Sequence, residues 1–269
     1  RRMRERAFRT ASGEADIGVL AEPVRTGDTA VVLLNAGAMR RAGPFRLHVH
    51  AARRFAALGF PTLRIDQPGI ADHVASARRP HVDVLVDILD TLGKETGCRR
   101  FVVGGVCSAA DFAWVLALRD PRVAGLVLLD PMARTNAPGF RLGQFQLLLH
   151  RGPAGWVDIV KRRLARRGAA PRATDDQLRD WPAAGAEAAQ LASLVARGAE
   201  LFVLFTGGAA NYFTHPRQFF AGYGPAARSP KVHFDYWRQC DHLFFQPDDR
   251  ERLVDRLAEW LGQRFGATA

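Results

Sequence analysis

The chain has 269 residues, of which 48% are hydrophobic and 24% charged, and its formal net charge at pH 7 is +11. The length suits one α/β domain with an inserted lid, and the composition excludes a disordered or fibrous chain. Because no run of about 18 or more apolar residues is present, we expect no integral membrane association. The positive charge favours acidic partners, but no nucleic-acid-binding motif accompanies it, so we do not expect nucleic acid among them.

Three cysteines, Cys98, Cys107 and Cys240, are too few and too odd in number for a disulfide framework. A reducing compartment is the simpler interpretation, and the N-terminus lacks the apolar core of a signal peptide, so we expect a cytoplasmic protein. No Cys or His pair has the spacing of a zinc site. We therefore expect neither a metal nor a cofactor, and the oligomeric state is left open.

Apolar runs and helical periodicity alternate along most of the chain. Residues 30–34 form a continuous apolar run, which is typical of a buried strand, whereas residues 81–93 repeat apolar side chains at helical spacing. The Arg-rich residues 1–10 are either a frayed arm or a first strand. In chain order we predict strands at 8–10, 17–20, 30–34, 61–65, 101–103, 123–129, 201–205 and 232–237. We predict helices at about 45–58, at about 81–93, from the segment 107–110 to about 119, and over the apolar positions of 253–261.

The alternation of strands and helices from residue 30 to 130 implies a parallel sheet with helices on both faces. Residues 135–198 interrupt this alternation, because they look mostly helical and contain no convincing strand. We interpret them as a helical cap inserted after the strand that ends at Asp130. The remaining residues, 1–134 and 199–269, would then form the α/β core.

The segment Gly105-Val106-Cys107-Ser108-Ala109 lies between a strand and a helix. A sharp strand-to-helix turn lifts its middle residue above the sheet, and the crowded turn needs small residues two positions before and after it. Gly105 and Ala109 meet this need for Cys107, whereas centring the turn on Ser108 would put Val106 at a small position. The positive end of the helix dipole also favours a thiolate at Cys107. We predict that Cys107 is a nucleophile, with Ser108 as the alternative and a buried, inert cysteine as the non-functional interpretation.

A cysteine nucleophile needs a general base, and His242 has the position expected for one. It follows the last predicted strand and precedes the last predicted helix, which is where this arrangement delivers its histidine. The chain has eight histidines, and we expect the others to be surface or internally satisfied polar residues.

The acidic member of a triad is less obvious than the nucleophile and the base. In this arrangement the acid usually follows the strand that ends here at Phe205. Residues 206–211 contain no carboxylate, however. Asp130 ends the preceding strand at the same edge of the sheet, where it is placed to orient the imidazole; the other interpretation is a turn residue ahead of the cap. Asn211 is the alternative third member. Asp241 adjoins His242 in sequence, and we expect it to be a structural or surface residue.

An acyl intermediate requires backbone N–H groups that face the developing oxyanion. We expect one from Ser108, the residue after the nucleophile. A second is expected from the loop after the strand at 30–34, at Ala36 or Gly37. The plain interpretation of this loop is a glycine turn.

Taken in order, these segments resemble the α/β-hydrolase proteins associated with bacterial exosortase systems, some of which carry a cysteine nucleophile. The resemblance covers most of 15–135 and returns at 200–262, while the predicted cap resembles no family we can name. The segments that carry it are 31–35, 41–46, 57–66, 105–107, 123–131 and 241–244.

The resemblance implies an α/β-hydrolase fold, with a mostly parallel central sheet flanked by helices, and a Cys- or Ser-dependent acyl hydrolase or transferase. It supplies no substrate. The chain departs from these relatives in two places. The acid is missing after Phe205 while Asp130 stands where relatives tend to have a neutral residue, and the loop at 66–72 lacks the aromatic-Arg-Gly sequence common there.

We therefore expect a Cys107–His242–Asp130 triad that takes an acyl group from a thioester or ester donor, as an acyltransferase or thioesterase. The basic residues Lys161, Arg162 and Arg163 in a predicted cap helix would dock an acidic acyl-carrier protein or the phosphates of coenzyme A; the alternative is a solvated helix face. The other functional hypotheses are a simple carboxylester hydrolase and a non-catalytic α/β-hydrolase-fold binding protein.

Overall fold

The computed structural model describes residues 3–10, 18–37, 39–67, 80–147, 149 and 185–266. One eight-stranded sheet crosses the molecule in the order β1-β2-β4-β3-β5-β6-β7-β8. The two pairs β1–β2 and β2–β4 are antiparallel, and all later pairs are parallel. The strands are β1 (Arg4–Phe8), β2 (Gly18–Glu22), β3 (Thr29–Leu34), β4 (Thr62–Ile65), β5 (Arg100–Val106), β6 (Val123–Leu129), β7 (Glu200–Thr206) and β8 (Val232–Trp237).

Helices cover both faces of the sheet. The side chains of α1 and α6 pack into the apolar cluster on one face, and those of α2, α3 and α4 pack into the cluster on the other. In β5, Val102 points to the first cluster and Val103 to the second, as the two-residue period of a strand requires. The helices are α1 (Leu47–Ala57), α2 (His81–Thr96), α3 (Ser108–Arg119), α4 (Ala186–Ala196), α5 (Pro216–Gly222) and α6 (Pro247–Phe265), with 3-10 turns at Pro44–Arg46, Gly207–Ala209 and Pro225–Arg228.

The predicted α/β class with a mostly parallel sheet is confirmed. The first strand lies within residues 1–10, one of the two interpretations offered for them, but β1 ends at Phe8, where the prediction of 8–10 begins. Within β1 only Phe8 is fully buried. Phe8 pairs with Gly18 of β2, so this apolar residue marks the last pair between the two strands. Helix α5 was not predicted; it begins with a capping box between His215 and Gln218.

Most of the predicted cap, including Lys161, Arg162 and Arg163, lies outside the described residues. Helix α4 falls within the predicted cap range and packs against α3, where the indole N–H of Trp114 donates to Gln190 Oε1 at 2.7 Å. The division into core and cap stays a prediction. Within the described ranges, no helix has both the length and the hydrophobicity needed to cross a bilayer.

Candidate active site

Cys107 occupies a sharp turn between β5 and α3. Its backbone adopts φ 58° and ψ −124°, a conformation that non-glycine residues rarely take and that is found where the surrounding structure enforces it. The Cys107 N–H donates to Leu129 O of β6 at 2.8 Å, and the Cys107 carbonyl accepts from Ala110 N at 2.9 Å as the helix begins. The Cys107 side chain is partly exposed at the C-terminal edge of the sheet.

The small residues around Cys107 have a steric reason. A Cβ atom on Gly105 would lie 2.5 Å from Leu34 O and 2.7 Å from Ala109 Cβ, closer than real Cβ contacts. Glycine at 105 therefore lets β5 pass close to the end of β3 while α3 starts directly above the turn. The pattern predicted from sequence is explained by this crowding.

His242 is oriented by a buried carboxylate. Its Nδ1 lies 2.6 Å from Asp130 Oδ2, and the Asp130 side chain has no exposed surface. Asp130 directly follows β6 and also accepts hydrogen bonds from the Thr206 N–H at 2.6 Å and from the Thr206 hydroxyl at 2.7 Å. The Thr206 contact was missed in the sequence analysis; its signal is a hydroxyl residue at the end of the strand adjacent to Asp130.

Two glycines after β7 occupy the place where the sequence analysis sought an acid. A Cβ on Gly208 would lie 2.1 Å from His242 N, and one on Gly207 would lie 1.9 Å from Arg238 O. The Gly208 N–H also donates to Cys240 O at 3.2 Å. The loop that carries His242 thus lies directly on the end of β7 and leaves no room there for a side chain, while the carboxylate comes from β6.

The electrostatic environment of His242 favours its protonated form. Burial lowers the pKa of His242, but hydrogen bonds and charge interactions with Asp130 and Cys107 outweigh this and raise the pKa to about 10. Because Nδ1 is engaged by Asp130, Nε2 is the ring nitrogen left for Cys107. Asp130 is hydrogen-bonded to His242, and Cys107 contributes to raising the pKa of the same imidazole, so the three side chains predicted as a triad lie close together.

The loop after β3 reaches the start of α3. The Gly37 N–H donates to Ser108 Oγ at 3.2 Å, and Gly37 has φ 49°. Ala36 is buried beside it. The structure therefore places Gly37 and Ser108, two of the predicted oxyanion residues, in direct contact next to Cys107.

No family model and no curated protein sequence matches the chain. Among solved structures, the chain is similar to an α/β hydrolase called GrgF from Penicillium sp. sh18, with 15% identity, a TM-score of 0.60 and coverage of 97% of this chain and 98% of that one. It is also similar to the esterase domain of a Rhodothermus marinus protein (16% identity, TM-score 0.58, 97% and 99% covered). A thermophilic esterase from Thermogutta terrifontis is a third (20% identity, TM-score 0.55, 97% and 98% covered).

The chain has the α/β-hydrolase fold. Within this fold, Cys107 lies at the strand-to-helix turn after β5, which is the position of the nucleophile in enzymes with this architecture. His242 lies in the loop between β8 and α6, in the place of their histidine. Fold alone does not establish an activity, so the site itself has to carry the functional argument.

Asn35 and Gln67 form a hydrogen-bonded pair that holds the loop after β3 in place. Asn35 is fully buried; its Nδ2 donates to Met39 O at 2.6 Å and its Oδ1 accepts from the Gln67 N–H at 2.8 Å. The Gln67 amide in turn donates to Asn35 O. Asn35 and Met39 are thereby tied to the segment that follows β4. The residue types of the Gln67 loop alone do not indicate this role.

Asp66, buried at the end of β4, continues this attachment. Its Oδ1 accepts from the Arg41 N–H at 2.5 Å, and its other oxygen pairs with the Arg41 guanidinium. Asn35 and Asp66 each directly follow a buried strand, and that position was the signal available in the sequence.

The remaining candidates lie elsewhere. Asn211 is exposed in the turn after Gly207–Ala209, whereas Asp130 contacts His242 Nδ1. Asp241 accepts hydrogen bonds from Leu243 N and Phe245 N at 2.8 Å each, so it shapes the turn after His242. In the part of the chain that the structure describes, no group of three or more His, Cys, Asp or Glu side chains is arranged to hold a metal ion.

Proposed function

We propose that the chain is a cysteine-dependent acyl-transfer enzyme that forms an acyl-Cys107 intermediate from a thioester or ester donor. The observation that carries the proposal is the Asp130–His242 hydrogen bond, with Cys107 close enough to raise the pKa of the imidazole and placed on a strained turn at the start of a helix. A structural cysteine needs none of these features, whereas an activated nucleophile needs a base within reach and a third group that orients the base.

The reaction proceeds in two halves. Cys107 Sγ, as the thiolate of a thiolate–imidazolium pair, attacks the donor carbonyl carbon, and the leaving thiol or alcohol takes the proton from His242 as its bond to the acyl carbon breaks. The acceptor (water, an alcohol or an amine) then gives its proton to His242 and attacks the thioester. Cys107 leaves as thiolate. Asp130 keeps Nδ1 of the imidazole as the donor throughout, so that Nε2 exchanges the proton.

A thioester donor suits a thiol nucleophile, because exchange between two sulfurs is nearly isoenergetic. We propose a donor held by an acidic acyl-carrier protein or by coenzyme A, since the net charge of +11 attracts anionic partners. Lys161, Arg162 and Arg163 are the proposed docking residues. The resemblance to exosortase-associated hydrolases and a reducing, cytoplasmic location, which would preserve the free Cys107 thiol, belong to the same proposal.

A simple carboxylester hydrolase is the second candidate. It is favoured by two of the similar solved structures, which are described as esterases. The two candidates share the acyl-Cys107 intermediate and differ in whether water or another nucleophile removes the acyl group. A non-catalytic binding protein with this fold is the third candidate, and it predicts no acyl-enzyme.

The test is intact-protein mass spectrometry after incubation with a panel of acyl thioesters and esters. Wild type is compared with Cys107→Ala and with Cys240→Ala as a matched control, because Cys240 is buried and burial raises the pKa of its thiol. We expect an acyl adduct in wild type and in Cys240→Ala, and none in Cys107→Ala.

The mass of the adduct identifies the acyl group, and its decay with and without alcohols or amines separates hydrolysis from transfer. An adduct that persists in Cys107→Ala would assign the nucleophile to another residue. If folded wild type forms no adduct and consumes no donor of either class, the non-catalytic candidate replaces the enzyme.

A further inference from the structure

We propose that the Ser108 side-chain hydroxyl donates a hydrogen bond to the oxyanion formed when Cys107 attacks the donor carbonyl. Ser108 would then supply two donors, its backbone N–H and its O–H. The inference rests on the proposed function and names a further catalytic group of that site.

The starting point is the contact between Gly37 and Ser108. The Gly37 N–H, one of the groups expected to face the oxyanion, instead donates to Ser108 Oγ at 3.2 Å. A serine oxygen that accepts a hydrogen bond still carries its own hydrogen, which is directed away from the Gly37 N–H. Gly37 is exposed and Ser108 is partly exposed, so the contact lies at an accessible surface next to Cys107, and in this proposal the hydroxyl hydrogen turns toward the substrate carbonyl.

The hydroxyl oxygen is held in place from both sides. Ser108 is the first residue of α3, directly after the strained Cys107. The opposing loop is tied by Asn35 Nδ2 to Met39 O at 2.6 Å and by the Met39 N–H to Ala36 O at 3.0 Å. Donors that need no reorganisation during the reaction contribute most to stabilising a transition state.

The chemistry requires such a donor. As the Cys107 Sγ–carbon bond forms, the π electron pair of the carbonyl moves onto oxygen, and the bond to the leaving group breaks when that pair returns. The negative charge exists only between these events. The Ser108 N–H lies at the positive N-terminal end of α3, and the Ser108 O–H adds a second donor without transferring its proton.

The experiment measures single-turnover acylation of Cys107 in Ser108→Ala, with Ser108→Thr retaining the hydroxyl. Ser108→Val is compared with Ser108→Thr as an equally shaped pair without and with the hydroxyl, and Ser193→Ala, an exposed serine of α4, is the control. We expect acylation to fall about 10²-fold in the Ala and Val variants, with KM within about twofold, and to recover largely in the Thr variant.

A second readout is independent of turnover. A trifluoromethyl ketone that carries the acyl group forms a tetrahedral adduct with Cys107 and presents an oxyanion. Its inhibition constant should rise by a similar factor in Ser108→Ala and Ser108→Val, while Ser108→Thr binds nearly as tightly as wild type.

Acylation and ketone binding of Ser108→Ala within about threefold of wild type would overturn the inference, with the acyl-enzyme proposal intact. Equal losses in the Thr and Val variants, accompanied by a lower Tm, would also overturn it and assign the hydroxyl to tethering the Gly37 loop. An adduct lost in Ser108→Ala but kept in Cys107→Ala would make Ser108 the nucleophile. A folded wild type that forms no adduct and consumes no donor would remove both proposals.

Discussion

At the scale of single residues, Asp130 joins three parts of the site. It follows β6, accepts hydrogen bonds from Thr206 at the end of β7, and orients His242 in the loop after β8. A fully buried carboxylate is costly unless donors surround it, and Thr206 and His242 supply those donors. Asp130 also has φ 48°, so the chain turns sharply at the residue that holds the carboxylate.

Asp130→Asn should abolish most activity without unfolding the protein. The amide oxygen of the new side chain would accept from Thr206 N, and the amide N–H would face His242 Nδ1 and force the imidazole proton onto Nε2, which is the wrong tautomer for accepting a proton from Cys107. We expect kcat to fall by about 10³-fold or more. Steady-state kinetics of this variant beside Asn211→Ala, which should stay within about twofold of wild type, checks the assignment. The reverse ranking would make Asn211 the third member.

The raised pKa of His242 predicts a pH-dependent contribution to stability. Its pKa rises from about 6.5 in the unfolded chain to about 10 in the fold, so the fold favours the imidazolium. The contribution is fully present below pH 6.5 and is lost as the pH rises through about 10. Urea unfolding of wild type and His242→Gln across this range should give a difference in the free energy of unfolding that shrinks with rising pH. A difference that is constant or grows would contradict the interpretation.

At the scale of elements, glycines decide how closely the loops at the edge of the sheet approach one another. Gly105 lets β5 pass the end of β3, and Gly208 lets the His242 loop lie on the end of β7. Both act through space and not through unusual φ, because a side chain at either position would meet backbone or a Cβ atom. Because Gly105 and Gly208 have no side chains, the loops at this edge of the sheet can converge on Cys107.

Gly208→Ala should impair the site more than the fold. Its new Cβ would lie 2.1 Å from His242 N, so the loop must shift and carry the imidazole away from its place between Asp130 and Cys107. We expect a loss of about 1–3 kcal/mol in the free energy of unfolding and a fall in kcat/KM of about 10² or more, because misplacement by about 1 Å has this effect.

Gly262→Ala in α6 is the matched control, because a Cβ there would meet nothing within 4 Å. It should stabilise the protein by about 0.5–1 kcal/mol and leave kcat/KM unchanged. Chemical denaturation and steady-state kinetics of both variants test the pair. Equal activity of Gly208→Ala and Gly262→Ala would show that the approach of the His242 loop is not needed.

At the scale of the whole molecule, the charge balance predicts how a substrate arrives. A net charge of +11 on 269 residues produces a field that attracts anionic partners and is screened by salt. A donor carried by an acidic protein should feel this field, whereas a small neutral ester should not. Comparing the two donors separates docking from chemistry.

Replacing Lys161, Arg162 and Arg163 by alanine should lower kcat/KM for a carrier-bound acyl donor by about 10-fold at low salt, with little change for a neutral small thioester. Raising the ionic strength should reduce the wild-type rate toward that of the variant. Arg4, Arg9 and Arg25, which are exposed in or near β1 and β2, serve as a control triple. Equal effects of the two triples would reduce the docking proposal to a general charge effect.

Much of the architecture could be predicted from the sequence, because its determinants are local. Continuous apolar runs gave β3, β6 and β7, helical spacing gave α2 and α6, and the small residues around Cys107 marked the turn. Segments with a weak local pattern were misplaced or missed. Strand β1 has only Phe8 fully buried, and α5 depends on the cap formed by His215.

The sequence by itself determined the fold class and pointed to Cys107, His242 and Asp130, because Cys107 and Asp130 directly follow recognisable strands and His242 lies in the loop after the last one. Only the tertiary structure decided which residues from distant parts of the sequence are in contact. In the sheet β5 lies beside β3, which brings Gly37 to Ser108 across 71 residues, and β6 lies beside β7, which brings Asp130 to Thr206 across 76. Strand order and side-chain contacts between distant segments depend on the packing of the whole sheet, which no local pattern encodes.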